Sequence, residues 1–113
     1  MSLLADLKLI IDSFGIPIET GVFKDKAPDK YIVLVPIGDE FVLNADDKPQ
    51  AEIQNIRITF YSKSNYVSDK NKIIKKLISD YYCVSDSRYG GFDTSTGYHQ
   101  YHIDVEKEYL MED

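Results

Sequence analysis

The stretch that most constrains the fold is residues 52–82, where an alternating segment leads directly into a helical one. Ile56, Ile58 and Phe60 fall on one face of an extended chain, with polar residues between them. After a polar turn at 62–65, apolar residues recur at helical spacing: Val67, Ile73, Ile74, Leu77, Ile78 and Tyr81. A strand with one apolar face, followed by a helix with one apolar stripe, predicts a two-layer α+β domain.

An amphipathic helix is predicted at the start of the chain. Ser2 occupies an N-cap position and Gly15 a C′ position, and Pro17 prevents continuation. The apolar stripe between them consists of Leu3, Leu4, Leu7, Ile10, Ile11 and Phe14. Alternation over residues 16–23 then predicts a first strand.

Residues 31–43 are predicted to form two short strands. The continuous apolar run 31–35 is typical of a central strand covered on both faces, and Pro36 limits it because proline cannot donate to a strand ladder. We expect a turn at 38–40 and a short return strand at 41–43.

The last third predicts a hairpin. Strands at 83–89 and 98–109 flank a glycine-rich loop at 90–97. The fold class is therefore α+β, with a mostly antiparallel sheet packed with two helices in the order α-β-β-(β)-β-α-β-β. We expect residues 1–113 to form a single domain.

The formal net charge of −6 argues against a dedicated nucleic-acid-binding protein, because such a protein needs a basic face to neutralise phosphate. The lysine-rich residues 70–76 leave a nucleic-acid-binding module as an alternative, although a solvated helix face is the commoner explanation. No stretch approaches the roughly 18 consecutive apolar residues of a membrane span, so we expect no membrane association.

His102 and Asp104 are the strongest candidates for chemistry. They share a face of the predicted last strand, where an imidazole and a carboxylate can hydrogen-bond. His99 and His102 are three apart and point to opposite faces, so they do not easily share a metal ion. Because no nucleophile is near them in sequence, we expect neither catalysis nor a metal site. A small metal-dependent enzyme using His102 and Asp104 is the alternative.

Cys83 and the Asp46-Asp47 pair both have ordinary explanations. A buried cysteine acting as a small apolar residue is commoner than an activated thiolate. The spacing around Asp46 and Asp47 does not match a calcium loop. We expect no cofactor.

Two charged loops are natural places for partner contacts, because loops on a rigid scaffold often carry binding. The candidate contacts are Lys24, Asp25, Lys26 and Asp29 in the first loop, and Asp46, Asp47 and Lys48 in the second. The sequence contains nine tyrosines and no tryptophan. This composition suits half-buried strands and protein interfaces alike.

Three segments resemble the small tail-completion, or tail-terminator, proteins of long-tailed bacteriophages and of prophages in Gram-positive bacteria. The segments are FGIPIETGVFKDKAPDKYIVLVPIGDEF, ADDKPQAEIQNIRITFYSKSNY and RYGGFDTSTGYHQYHIDVEKEY. The similarity covers about residues 10–110, and the predicted order of elements is similar to the tail-terminator topology. None of the segments encodes a reaction.

The resemblance implies a structural protein that caps the tail tube and joins tail to head. Such proteins form rings, commonly hexamers, through which DNA passes, and their partners are the tail-tube protein and the head-completion or connector protein. The implied locations are the host bacterial cytoplasm during assembly and the head–tail junction of the virion. A head-completion or adaptor protein of the connector is the alternative within this group.

Overall fold

The computed structural model describes residues 2–19, 28–43 and 49–110, which form two helices and one five-stranded sheet. In chain order the elements are α1 (Leu3–Asp12), β1 (Ile18–Glu19), β2 (Lys30–Leu43), β3 (Pro49–Ser62), α2 (Val67–Ser79), β4 (Cys83–Phe92) and β5 (His99–Leu110). The predicted α+β class, with two helices and a mostly antiparallel sheet, is confirmed.

The strands lie in the order β1-β2-β3-β5-β4. Strand β3 pairs with β2 and with β5, and β5 pairs with β4, and all three pairings are antiparallel. The two-residue β1 pairs with β2 in parallel, with Ile18 opposite Ile32. The alternation noted in the sequence sets the register, because Ile58 lies opposite both Leu34 and Ile103. Slipping the register by one residue would move these side chains to the other face.

Both helices pack on the same face of the sheet, and the core lies between. Its fully buried members are Leu3, Leu7, Ile11, Ile32, Ile58, Phe60, Ile73, Leu77 and Ile103. We call this the helix face, and the opposite face, which no described helix covers, the open face. Truncating Phe60 to alanine should cost about 3–5 kcal/mol, the usual loss for a large buried aromatic side chain.

The start of α1 follows the sequence prediction. The Ser2 hydroxyl accepts a hydrogen bond from the Ala5 N–H, which satisfies one of the unpaired donors of the first turn. The Leu3 N–H donates to Gln54 Oε1 on β3 at 2.8 Å and ties the helix to the sheet. None of the helices in the described ranges is long and apolar enough to cross a membrane.

The predicted turn at 38–40 and the separate return strand at 41–43 are wrong, because β2 continues through them with a bulge between Pro36 and Gly38. The Ile32 N–H points away from β3, toward the Pro17 carbonyl. By strand alternation the Pro36 nitrogen points the same way, to the side of the strand away from β3, so its missing N–H costs no hydrogen bond with β3. Proline therefore does not interrupt the pairing of β2 with β3.

The prediction that residues 31–35 are covered on both faces is also wrong. Ile32 and Leu34 are buried on the helix face, whereas Val35 is 46% exposed on the open face. The apolar run indicated two-sided cover, but both helices lie on one side of the sheet.

Helix α2 ends at Ser79, so Tyr81 does not belong to its apolar stripe as predicted. Tyr81 has a φ of 68° and is 92% exposed. The Tyr82 N–H donates to the Leu77 carbonyl and the Tyr81 N–H to the Ile78 carbonyl. These two bonds are the Schellman arrangement, here with tyrosine at the position that usually holds glycine.

Candidate functional site

A polar cluster crosses the open face on β3, β5 and β4. Arg57 Nε and Nη2 donate to the two carboxylate oxygens of Asp104 at 2.8 and 3.2 Å. Hydrogen bonding from Arg57 lowers the pKa of Asp104. The same pair raises the pKa of Arg57, so both groups stay charged. A bidentate pair of this kind fixes the register of neighbouring strands.

His102 lies beside this pair but is not bonded to it. Its Nδ1 is 3.1 Å from the Thr59 hydroxyl, and a Cβ added to Gly90 would stand 2.6 Å from its Nε2. Burial lowers the pKa of His102, and the nearby Arg57 and Arg88 guanidinium groups lower it further. The ring is therefore held neutral between Thr59 and the Gly90 backbone.

The hydrogen bond that the sequence suggested between His102 and Asp104 does not form. His102 and Asp104 share a face as predicted. The Asp104 carboxylate, however, is hydrogen-bonded to Arg57, and the imidazole contacts the Thr59 hydroxyl instead. The Thr59 residue beside the imidazole is only 5% exposed, so a substrate cannot reach its hydroxyl. Within the described ranges, no group of three histidine, cysteine or acidic side chains could hold a metal ion.

The end of the sheet near Ser62 carries an aromatic patch on the helix face, formed by Tyr66, Tyr89, Phe92 and His99. Tyr66 stacks on Tyr89 with ring centroids 5.5 Å apart, and Phe92 contacts His99 at 4.7 Å. The Tyr89 hydroxyl is hydrogen-bonded to His99 Nδ1 at 2.8 Å. Because Tyr89 and Phe92 are both exposed, the patch is packed from within and open to solvent.

A second tyrosine cluster lies at the same end on the open face. Tyr31 stacks on Tyr61 at 4.7 Å, and Tyr98 meets both rings edge-on. Burial raises the pKa of Tyr31. Tyr98 is buried and its hydroxyl donates to the Pro28 carbonyl. This cluster therefore stabilises the fold and is a poorer contact surface than the aromatic patch.

Two lysines flank these aromatic groups without a carboxylate partner among the described residues. Lys70 Nζ lies 4.9 Å from the Tyr101 ring centroid, and Lys63 Nζ lies 5.1 Å from that of Tyr98. Lys30, by contrast, is paired with Asp69 at 3.1 Å. The ring faces hold the two unpaired ammonium groups through cation–π contacts at this end of the molecule.

The opposite end of the sheet presents acidic and apolar side chains. Residues 35–41 of β2 are all exposed, although they pair with β3 on either side of the bulge. We call this segment the arm. Val35, Ile37 and Phe41 are its exposed large apolar residues. Asp39 and Glu40 make no ion pair with any described residue. A shallow pocket between the arm and β5 is lined by Ile37, Gly38, Asp39, Glu40, Asn55, Ser85, Asp104 and Val105.

The predicted partner contacts are only partly visible. Asp29 is exposed next to the start of β2. Lys24, Asp25 and Lys26, like Asp46, Asp47 and Lys48, lie outside the described residues, so their predicted roles stay predictions.

Cys83 is exposed, and the expectation that it is buried is wrong. It begins β4 directly after the turn that ends α2, at the edge of the sheet and not under a helix. Desolvation and a hydrogen bond with Glu106 raise its pKa, which disfavours the reactive thiolate.

Sequence reasoning missed the arm, because the predicted turn at 38–40 concealed the long strand that carries it. The aromatic patch had a signal in the excess of tyrosine. What the sequence could not show is that Tyr66, from the turn before α2, meets Tyr89 and His99 from the last two strands.

In comparisons with known proteins, no protein-family model matches the chain and no curated protein matches it.

Proposed function

We propose that this chain is a structural phage or prophage protein that caps the tail tube and joins the tail to the head as a ring. The resemblance of three segments over about residues 10–110 supports this assignment. The arrangement of exposed surfaces is the structural observation that supports it most. The arm, with its exposed acidic and apolar side chains, and the exposed aromatic patch lie toward opposite ends of one sheet.

The separation of these surfaces favours a repeating assembly. Asp39 of the arm lies opposite Gln54 of β3, and His99 of the aromatic patch lies opposite Ser62. Eight steps of about 3.3 Å along β3 put Gln54 and Ser62 roughly 26 Å apart. Contacts through two different surfaces build rings or filaments, whereas a symmetric dimer uses one surface twice.

The open face supports a structural role in a second way. Arg57 and Asp104 neutralise each other, and so do Arg88 and Asp86. The charged groups at the centre of the sheet are therefore engaged with one another, as is usual for pairs that stabilise a fold. A head-completion or adaptor protein would use the same surfaces, and the partner distinguishes it from a terminator.

Sedimentation velocity over a wide concentration range tests this proposal, combined with electron microscopy of the same samples. A ring of six 13.0 kDa chains would sediment with a mass of about 78 kDa and show a central hole. Ring-shaped particles that bind the head-proximal end of purified tail tubes would support the terminator. Rings that bind only the connector would support the adaptor, and a strict monomer that also ignores both partners would contradict the proposal.

A further inference from the structure

We infer that β4 is a proton-sensitive edge strand, which detaches from β5 in mild acid when His102 takes up a proton. The inference goes beyond the proposed function and does not rest on it, because it concerns how one strand is held to the rest of the sheet. Its basis is the exposure of β4 and the contacts of one imidazole ring.

Strand β4 is the most weakly anchored of the long strands. It lies at an edge of the sheet, and among the described strands it pairs with β5 alone. None of its ten residues is buried, whereas β5 buries Tyr101, Ile103, Val105 and Tyr109. Elements that bury little apolar surface open at a lower free energy than the core. We therefore expect β4 to open before β3 and β5 separate.

Two bulges weaken the pairing of β4 further. The register with β5 shifts twice, which leaves Ser85 and Gly90 without a partner residue on β5. Each bulge interrupts the ladder of hydrogen bonds and leaves the extra residue unpaired. The second bulge lies directly beside His102.

The imidazole of His102 is held between β3 and this second bulge. A Cβ added to Gly90 would stand 2.6 Å from His102 Nε2 and 2.8 Å from Cδ2, so the Gly90 backbone fills the space on that side of the ring. On the β3 side, Nδ1 is 3.1 Å from the Thr59 hydroxyl. The position of β4 therefore determines the surroundings of the ring.

Protonation of the ring is opposed while β4 is in place. Burial lowers the pKa of His102, the Arg57 and Arg88 guanidinium groups lower it further, and Asp104 acts in the opposite direction. A protonated imidazole donates from both nitrogens, and Nε2 makes no hydrogen bond with a described residue. The charged or titratable side chains on this face around the ring are Arg57 and Tyr61 on β3, Asp86 and Arg88 on β4, and Asp104 on β5.

Detachment of β4 removes much of this opposition. It takes Arg88 and the Gly90 backbone away from the ring and admits water to Nε2, so the pKa of His102 returns toward its ordinary value of 6.5. The detached form then binds the proton more tightly, and acid favours it. Asp104 stays ionised in the same range, because its pKa is lowered from 3.8.

The consequence of detachment is a new free edge. The residues of β5 that pair with β4, His99 to Glu106, would present unpaired N–H and C=O groups to solvent. Such an edge is a template for the addition of another extended segment.

Backbone hydrogen exchange, followed by NMR at about pH 7.5 and 5.5 and expressed as protection factors, tests the inference. The amides that pair β4 with β5 should be less protected than those that pair β3 with β5 at both pH values. Their protection should fall about three- to tenfold at the lower pH. A histidine with an ordinary value of 6.5 supplies at most a factor of about ten one pH unit below that value.

The two histidines of the chain provide a matched pair of variants. His102→Asn should abolish the effect of pH on β4. His99→Asn should retain the ratio between the two pH values, although His99 is hydrogen-bonded to Tyr89 of β4 and its loss lowers protection at both. In the wild type, the amide shifts of β4 should titrate together with the His102 ring signals and not with those of His99, which tests the same coupling without a substitution.

Gly90→Ala tests the contact with the ring independently of titration. At pH 7.5 the added methyl group should lower the protection of β4 at least about threefold, because it occupies the position of His102 Nε2. The same substitution should have a smaller effect in a His102→Ala background, where the ring is absent.

Each result decides for or against the inference. A β4 as well protected as the β3–β5 pairing at both pH values would overturn it, since the strand would then open only with the whole domain. A pH effect that survives His102→Asn, or β4 shifts that follow His99, would overturn it by assigning the effect to another group. Equal effects of Gly90→Ala with and without the His102 ring would remove the contact on which it rests.

Discussion

At the scale of single residues, the centre of the open face holds the Arg57–Asp104 ion pair beside a neutral histidine. Arg57 holds Asp104 ionised by two hydrogen bonds. The same guanidinium, together with Arg88, opposes protonation of His102, although burial is the larger cause. Two groups on one surface therefore have native pKa values below their unfolded values, and each responds to acid in its own range.

We predict two steps in the acid dependence of stability. The native pKa of His102 lies below its unfolded value of 6.5, so the unfolded chain binds that proton first and stability declines as pH falls below about 6.5. The pKa of Asp104 is lowered from 3.8, so its contribution persists above that pH and is lost only below it. Chemical denaturation of the wild type and of His102→Asn at about pH 7.5 and 5.5 checks the first step.

The histidine variant should lose less stability than the wild type between those two pH values. The Asp104→Asn variant serves as a control, since it keeps His102 but removes the lower step. Equal slopes for the wild type and His102→Asn would contradict the role assigned to the neutral imidazole.

At the scale of elements, the end of α2 shows where local propensity and tertiary structure conflict. The turn at Asp80–Tyr81 is required because the Tyr82 N–H must reach the Leu77 carbonyl before β4 begins. Glycine is the ordinary residue at such a position, and a left-handed conformation costs other residues about 1–2 kcal/mol. Tyr81 adopts the left-handed conformation, and its side chain is almost fully exposed.

We predict that Tyr81→Gly raises the free energy of unfolding by about 0.5–1 kcal/mol. The gain is relief of the left-handed strain, reduced by the greater freedom of glycine in the unfolded chain. Urea unfolding of Tyr81→Gly and Tyr81→Ala provides the comparison, because alanine removes the same exposed ring but keeps the strain. A glycine variant no more stable than the alanine variant would contradict the assigned strain.

The elements that the sequence predicts well are those whose evidence is local. The stripe of α1 and its Ser2 cap, and the alternation of Ile56, Ile58 and Phe60, each lie within one element. The errors arise where the structure of a segment depends on a neighbouring element and not on its own sequence. Pro36 is tolerated because its nitrogen points away from β3, and Val35 is exposed because no described helix lies on its side.

The candidate surfaces were harder to predict than the fold. His102 and Asp104 were correctly placed on one face, but only the structure shows that Thr59 and Arg57 are their partners. The aromatic patch joins Tyr66 to residues more than twenty positions away in sequence, so no local pattern contains it.

At the scale of the whole molecule, the chain is elongated and presents a different surface toward each of its two ends. Its extents are 53 × 29 × 24 Å, with the arm toward one end of the sheet and the aromatic patch at the other. The net charge of −6 makes separate copies repel one another at long range, so association requires specific contacts at short range. Two unlike surfaces on one chain suit the ring assembly that we propose.

Electron microscopy of the wild-type protein mixed with purified tail tubes tests the proposed function most directly. The account predicts ring-shaped particles bound to the head-proximal end of the tubes, and a mass of about 78 kDa for a free ring of six 13.0 kDa chains. A chain that stays monomeric and binds neither tail tubes nor the connector would contradict the account.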